Sequence, residues 1–210
     1  MKLEEIIPKT HFIQFNLSDM LEQLGEDSVK AILSTFSCPK NKDVEIFLKT
    51  KAIEFSKRGF SKTHLVFWVT EDGLEKELVG YYTISSKHIT VQRSAVNSKE
   101  ARKLREHGVF DEKTNKYTVS APLIAQLGKN FSNGNDSLIL GSDLLQLAID
   151  KVKSVQREIG GRFVYLECED KQKLIEFYEC NHFKKFGKRN LDRDETDIDG
   201  HYLLQYFAML

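Results

Sequence analysis

The residues with the clearest chemical potential lie between an apolar segment and a long amphipathic helix. The apolar run Ala121–Leu127 leads into the polar loop 128–136, and Gly141 and Ser142 then open the helix. A helix N-terminus exposes backbone N–H groups without an intrahelical partner, and the helix dipole adds a partial positive charge there. Such a corner binds phosphate or pyrophosphate whatever its side chains are. The spacing therefore predicts an anion site but names no particular ligand.

Composition and net charge narrow the class of protein. The chain has 210 residues, of which 40% are hydrophobic and 30% are charged, as in an ordinary soluble globular protein. This length suffices for one full hydrophobic core, and no repeat or low-complexity linker divides it. We therefore expect a single domain over residues 1–210. Lys and Arg number 31, as do Asp and Glu, so no global field attracts nucleic acid or an anionic membrane.

Neither a membrane nor a metal is expected. No stretch approaches the roughly 20 apolar residues that span a bilayer, and the charged, amphipathic N-terminus is unlike a secretory signal. Cys38, Cys168 and Cys180 are odd in number, widely spaced and without a C-x-x-C pair. This usage is typical of reduced thiols and argues against a structural zinc site. We expect a cytoplasmic protein without a bound metal.

The periodicity of apolar residues predicts the elements that position this anion-binding corner at residues 138–142, which we call the phosphate corner. Helices are predicted at about 19–24, 26–35, 41–57, 98–106, 142–158 and 171–180, and strands at 12–16, 63–70, 77–85, 121–127, 162–167 and 202–208. Ser98 is predicted to cap its helix and Ile89–Val91 to extend the preceding strand. Residues 108–119 and 188–200 are predicted to be mostly loop.

The helix after the corner determines the predicted topology. A helix that joins two strands of one sheet acts as a crossover connection, so strand 162–167 is predicted to run parallel to strand 121–127. Strands 63–70 and 77–85 are separated by the turn residues 71–73 and are predicted to pair as an antiparallel hairpin. We expect an α/β (α+β) fold with a mixed, mainly antiparallel twisted sheet that is flanked by helices.

The order of these elements resembles the GNAT family of acetyl-CoA-dependent N-acetyltransferases. Segment Leu174–Phe183 contains the pair Phe177 and Tyr178, followed by Phe183, and looks like that family's "FY…GF" segment. Upstream, the segments from Phe36 to Gly59 and from Val79 to Ser85 look like the branch of toxin-type enzymes that acetylate the amino group of aminoacyl-tRNA.

The resemblance covers about residues 30–209 and rests on the joint order and spacing of these segments rather than on one motif. It implies a GNAT-like domain, acetyl-CoA as the co-substrate and a primary amine as the acceptor. It also implies that Tyr178 is the general acid that protonates the departing thiolate. The alternative from the residues alone is a core tyrosine, because Leu174 lies four residues earlier on the same helical face.

The contacts that the resemblance implies for the co-substrate are backbone amides. The thioester and pantetheine are placed at the main-chain N–H groups around Leu127, Gly128 and Lys129. The family's pyrophosphate loop, Q/R-x-x-G-x-G/A, aligns with residues 136–141, where only the final glycine is kept. Because the requirement falls on amides and on the helix end, a diphosphate site is still implied at Leu138, Ile139, Leu140, Gly141 and Ser142. The alternative is a non-catalytic binding or regulatory module that has lost the co-substrate.

No general base stands out in the sequence. Glu167 and Glu169 end a strand and could deprotonate an amine through water, with salt-bridged carboxylates as the alternative interpretation. A lysine side chain is only about one part in two thousand neutral at pH 7, whereas an α-amino group is already roughly 10% neutral. The lack of an obvious base therefore favours an α-amine acceptor.

Charged segments bear on the partners. The acidic loop 192–199 would repel a phosphate backbone but could bind a cationic amine or a basic antitoxin. The resemblance and the apolar C-terminal strand also indicate a homodimer. Three basic clusters could hold an RNA acceptor, with a solvated face as the default interpretation: Lys57 and Arg58; Arg93, Lys99, Arg102, Lys103 and Arg105; Lys184, Lys185, Lys188 and Arg189.

Overall fold

Ten strands and seven α-helices make up the described part of the chain, which comprises residues 12–70, 73–192, 195, 198 and 200–210 of a computed structural model. The strands are β1 (Phe12–Asn16), β2 (Lys62–Val69), β3 (Lys76–Ser85), β4 (His88–Gln92), β5 (Gly108–Asp111), β6 (Lys116–Ser120), β7 (Leu123–Lys129), β8 (Phe163–Cys168), β9 (Lys184–Asn190) and β10 (Tyr202–Met209). The helices are α1 (Leu17–Leu24), α2 (Glu26–Ser34), α3 (Lys42–Ile46), α4 (Ala52–Lys57), α5 (Ser98–His107), α6 (Gly141–Ile159) and α7 (Gln172–Cys180).

Seven of these strands form one sheet in the order β1-β2-β3-β7-β8-β10-β9. Every neighbouring pair in it is antiparallel except β7 and β8, which are parallel. The predicted mixed, mainly antiparallel sheet is therefore confirmed, as is the parallel pair that α6 connects. Helices α1 to α4 pack on one face of this sheet and α6 and α7 on the other.

Helix α6 follows directly from its sequence. Its buried residues recur three or four apart, from Leu144 to Val152, so that one stripe faces the sheet. The helix ends where Gly160 adopts a φ of 79°, which suits glycine because it has no Cβ. Helix α5 begins differently from the prediction, because Asn97 rather than Ser98 accepts the capping hydrogen bond, from the amide of Glu100.

The region 108–119, predicted to be mostly loop, is instead the hairpin β5–β6. Asn115 makes the turn with a φ of 57°, and Tyr117 and Val119 are buried in alternation with exposed polar residues. Four- and five-residue strands with this polar content give a weak sequence signal. Ile89–Val91 belongs to β4 and does not extend β3, because β4, β6 and β5 form a second sheet.

Strands also run further than predicted at two places. Strand β7 continues to Lys129, and β9 occupies residues 184–190, part of which was predicted to be loop. The N-terminal residues 1–11, the turn residues 71–72 and most of the predicted acidic loop 192–199 lie outside the described residues. Within the described ranges, no helix combines the length and apolar character needed to cross a membrane.

Candidate active site

Strands β7 and β8 separate after a short stretch of pairing. β8 pairs with β7 only at Leu123 and Ile124, whereas β3 pairs with β7 as far as Lys129. A register shift in the β3–β7 ladder leaves Ala125 without a partner residue in β3, which is the signature of a β-bulge. The sheet therefore splits at Ala125, and one edge of β7 faces the gap.

The register shows which amides of β7 face this gap. Asn130 N donates to Val79 O at 2.8 Å, so Asn130 and Val79 form a hydrogen-bonded pair. Residues of an antiparallel ladder alternate between hydrogen-bonded and non-hydrogen-bonded pairs, so Gly128 directs its N–H to β3. Leu127 and Lys129 then direct theirs to the opposite edge, into the gap.

The gap opens into a cavity of about 1050 Å³, a size typical of small-molecule sites. Leu127, Gly128, Lys129 and Tyr178 line this cavity together, although Tyr178 comes about fifty residues later in the chain. The predicted residues 138–142 are outside its lining and lie at the start of α6. The structure thus brings the strand and the tyrosine into one site and places the phosphate corner separately.

Tyr178 is a core residue that also lines the cavity. Its ring packs against Phe177, Phe183 and Tyr206, with centroid distances of 5.1, 6.1 and 6.3 Å. Only 9% of the residue is exposed, and burial raises the pKa of its hydroxyl well above the usual 10. The hydroxyl is therefore protonated at neutral pH in a residue that lines the cavity.

The two faces of β7 present different groups. Leu127 packs into the core with Tyr178, on the side of α6 and α7, which we call the α7 face. On the opposite side, the α3 face, Gln126 Nε2 donates to Asp43 Oδ2 at 2.9 Å. A Cβ on Gly128 would overlap Val44 Cγ1, so only glycine lets α3 pack this closely on β7.

The phosphate corner has free amides. Among the described residues, none accepts a hydrogen bond from the amides of Ile139, Leu140, Gly141 or Ser142, and α6 has no side-chain cap. Leu138 differs, because its N–H donates to Asn135 O at 3.1 Å. Four of the five predicted amides are therefore available to an anion.

Comparisons with known proteins identify the fold. No protein-family model and no curated protein matches the sequence. Among solved structures, AtaT complexed with acetyl-methionyl-tRNAfMet is 17% identical, with a TM-score of 0.58 and coverage of 92% of this chain and 93% of that one. A tyrosine-to-phenylalanine mutant of KacT is 16% identical, with a TM-score of 0.61 and 95% of both chains covered. The chain has the GNAT fold.

A third similar structure is AtaTR bound with AcCoA, which is 15% identical with a TM-score of 0.54, over 94% of this chain and 92% of that one. The GNAT fold confirms the order of elements that the sequence resemblance predicted. Each of the three similarities covers more than nine-tenths of this chain.

A side chain that the sequence did not single out supports the loop 136–141, which differs from the family's pyrophosphate loop. Lys129 Nζ donates to Asp136 O, and to Ile139 O at 2.8 Å. Lys129 was predicted only for its backbone amide, and no sequence signal identified its ammonium as the support of the loop.

Packing does not require a glycine at position 141, because a Cβ added to Gly141 would approach only the Phe177 ring, at 3.4 Å.

Both candidate bases are salt-bridged, as the alternative interpretation held. Glu167 Oε2 lies 2.6 Å from Arg189 Nε, and its other oxygen accepts a hydrogen bond from Gln205. Arg189 also binds both oxygens of Glu195, at 2.7 and 2.8 Å, and these hydrogen bonds lower the pKa of Glu195. Glu169 lies 2.7 Å from Lys171.

The predicted basic clusters are partly neutralised within the protein. Lys57 pairs with Glu26, and Lys184 pairs with Glu100. Other lysines, which the sequence did not single out, line the cavity: Lys40, Lys51, Lys87 and Lys173.

The two cysteines that line the cavity, Cys38 and Cys168, are poor nucleophiles. All three cysteines of the chain are free, with Cys38 and Cys168 buried. Burial raises the pKa of Cys168 to about 12, so this thiol stays protonated at neutral pH. Among the described residues, no group of three or more His, Cys, Asp or Glu side chains is arranged to hold a metal ion.

Proposed function

We propose that the protein is an acetyl-CoA-dependent N-acetyltransferase that moves an acetyl group directly to a primary amine. The observation that carries this proposal is the split between β7 and β8, where two free amides and the Tyr178 hydroxyl meet one cavity. Similarity to the fold of AtaTR bound with AcCoA supports the co-substrate.

The free amides fit the two polar parts of coenzyme A. Leu127 and Lys129 N–H would bind the pantetheine amides, as an added strand is bound at the open edge of a sheet. The amides of Ile139, Leu140, Gly141 and Ser142, with the dipole of α6, would bind the diphosphate. Leu138 drops out of this set, because its amide is bonded to Asn135.

Tyr178 acts as the general acid. Acetyl-CoA supplies an activated acetyl thioester, so the C–N bond forms as the C–S bond breaks. The raised pKa keeps the Tyr178 proton in place until a thiolate forms, and its proton then goes to that sulfur. AtaT and KacT, which are among the similar structures, were both solved as tyrosine-to-phenylalanine mutants. These mutants support a functional role for a tyrosine in this fold.

The acceptor is an α-amine. Glu167 and Glu169 are already paired with cations, so the chain offers no free carboxylate at these positions to deprotonate a lysine-type ammonium. An α-amine is roughly 10% neutral at pH 7 without any base. The amine proton released on attack then passes to solvent.

Thiol release with a panel of amines tests this function. The protein, acetyl-CoA and an amino-acid amide should release free coenzyme A thiol together with the N-acetyl product. Acetyl-CoA at about 100 times its Kd should also stabilise the fold by about 2.7 kcal/mol. Stabilisation without thiol release would favour a non-catalytic module. The absence of both stabilisation and thiol release would contradict acetyl-CoA as the co-substrate.

Aminoacyl-tRNA is the acceptor class that we propose within this function. AtaT complexed with acetyl-methionyl-tRNAfMet has the same fold, and exposed lysines at the cavity suit a phosphate backbone. Labelled acetyl-CoA should mark charged tRNA and leave uncharged tRNA unmarked. Label on simple amides but never on charged tRNA would contradict this acceptor and leave the acetyltransferase intact.

An antitoxin is the corresponding protein partner. AtaT has been solved bound to the C-terminus of the antitoxin AtaR. We expect this protein to arrest growth when expressed alone, and a small protein encoded beside it to relieve the arrest. Normal growth at full expression would count against the toxin role.

A further inference from the structure

The α3 face of the cavity carries an aromatic wall that the proposed chemistry does not use. Phe47, Phe55 and Phe60 line the cavity and pack edge to face in series, with centroid distances of 5.4 and 5.6 Å. Phe60 is 49% exposed although it is large and apolar. The Arg58 guanidinium lies over one face of the ring, 4.3 Å from its centroid, and the ring surface that is still exposed would be stabilised by an apolar ligand.

The backbone under this wall is irregular. A π-helical turn at Phe47–Lys51 joins α3 and α4, with Ala52 N bonded to Phe47 O. Such turns are rare, and they occur often at functional sites. The turn places Phe47 and Lys51 on the cavity lining together.

The wall lies beside the split in the sheet. Ser85 Oγ donates to Phe60 O at 2.8 Å, and Ser85 pairs with Leu123, two residues before the bulge at Ala125. Phe47 follows Val44, the α3 residue that fits against Gly128. A group bound against the aromatic wall therefore lies next to the point where β7 and β8 separate.

An unpartnered hydroxyl lies next to the wall. Ser61 is 6% exposed and lines the cavity, and its Oγ has no hydrogen-bond partner within the described structure. A buried hydroxyl without a partner is costly, and a ligand that accepts a hydrogen bond would remove this cost.

We propose that Phe47, Phe55, Phe60 and Ser61 form a subsite for the acceptor, which selects an α-amine whose carbon carries an aromatic or large aliphatic side chain. The side chain packs on the wall, and Ser61 Oγ donates a hydrogen bond to the carbonyl oxygen of the same residue. This inference rests on the proposed acetyl transfer, and it goes beyond it by naming what distinguishes one acceptor from another.

Acceptor comparison tests the wall. The wild-type protein should acetylate phenylalanine amide with a kcat/KM about 10- to 200-fold above that for glycine amide, as expected when one side chain fills an apolar pocket. Phe60→Ala should lower the preference about tenfold and leave glycine amide unchanged. Phe15→Ala is the matched control, because Phe15 is similarly exposed and packs edge to face on Phe67 outside the cavity.

Ser61→Ala tests the polar contact. Removing an unpartnered hydroxyl should leave Tm unchanged or raise it, and should lower kcat/KM for phenylalanine amide about threefold to tenfold, the usual worth of one hydrogen bond. Phenethylamine lacks the carbonyl, and at a pH high enough to deprotonate its amine it should be acetylated equally well by the variant and the wild type. An equal loss with both amines would overturn the role of Ser61.

Two further results would overturn the subsite. One is equal use of phenylalanine amide and glycine amide by the wild type, and the other is an equal loss with both amides in Phe60→Ala. Calorimetry with the product N-acetylphenylalanine amide separates this inference from the proposed function, because it needs no turnover. Binding that Phe60→Ala weakens supports the subsite even if no acceptor is acetylated, and no binding contradicts it.

Discussion

The two faces of β7 offer a ligand different kinds of groups. On the α7 face, the groups that the proposed co-substrate site uses at the split and at the start of α6 are main-chain amides and the Tyr178 hydroxyl. On the α3 face they are side chains, namely the aromatic wall, the Ser61 hydroxyl and the Asp43 carboxylate. Amides are present whatever the residue types are, so the first kind of site tolerates sequence change that the second does not.

This difference explains how residues 136–141 can depart from the family's loop within a GNAT fold. Residues 136–141 lack the first glycine and the basic or amide residue of that loop, yet they lead into a helix end with free amides. The Lys129 ammonium donates hydrogen bonds to two backbone carbonyls of the loop, those of Asp136 and Ile139. The same freedom is absent at Gly128, where a side chain would meet α3.

Tyr178→Phe should have the largest effect, because the Tyr178 hydroxyl is the side-chain group on the α7 face that takes part in the proposed reaction. Turnover should fall tenfold or more, since general acids contribute about a hundredfold or more, while acetyl-CoA affinity changes little. Steady-state kinetics and calorimetry measure the two quantities. Tyr206→Phe is the control, because its ring packs beside Tyr178 but does not line the cavity. Unchanged turnover in Tyr178→Phe would remove it from the mechanism.

Gly128→Ala tests the packing of the α3 face. The new methyl group would overlap Val44, and overpacking of this kind costs about 1–3 kcal/mol of unfolding free energy. Urea unfolding should show a lower midpoint, and Gly128→Ala combined with Val44→Ala should recover most of the loss. No loss in the single variant would mean that α3 does not pack on β7 in this way.

His64 should make the α6 side of the sheet sensitive to acid. Burial lowers its pKa to about 4, and its ring stacks on Tyr82. The unfolded state, with a pKa near 6.5, binds the proton first as the pH falls, so stability is intact above pH 6.5 and declines towards pH 4. The unfolding free energy should fall by about 2 kcal/mol between pH 7 and pH 5.

His64→Gln provides the comparison for this prediction. The variant should lose that part of the pH dependence, whatever its stability at pH 7. An identical pH profile in the two proteins would show that His64 does not titrate in this range.

Gly141→Ala should have the smallest effect, and it separates ligand binding from folding. Packing admits the methyl group and alanine favours a helix, so Tm should not fall. If the diphosphate binds at this corner, a methyl group on Gly141 would crowd it, and acetyl-CoA affinity should weaken about tenfold, or about 1.4 kcal/mol. Ser137→Ala in the same loop is the control. Unchanged affinity in Gly141→Ala would move the diphosphate away from this corner.

The sequence predicted what periodicity and connection rules determine. The amphipathic stripe of α6 and the parallel pairing of β7 with β8 follow from local patterns and from the crossover rule. The hairpin β5–β6 was missed, because its short polar strands acquire their form from packing against the rest of the chain.

The site was predictable only in part. The backbone residues and Tyr178 came from the family resemblance, and their meeting in one cavity depends on the divergence of β8 from β7, which no local pattern encodes. The support from Lys129 and the orphan hydroxyl of Ser61 were not foreseen. Each depends on how the folded chain packs around the loop and the cavity, which local residue patterns do not encode.

Titration of the ¹⁵N-labelled protein with acetyl-CoA, followed by amide NMR, tests the central claim most directly. The claim is that the free amides of the split and of the α6 N-terminus bind the co-substrate. The amides of Leu127, Lys129, Ile139, Gly141 and Ser142 should shift on binding, and that of Gly128, held in the ladder with β3, should shift less. A spectrum that does not change at millimolar acetyl-CoA, or changes confined to other regions, would contradict the account.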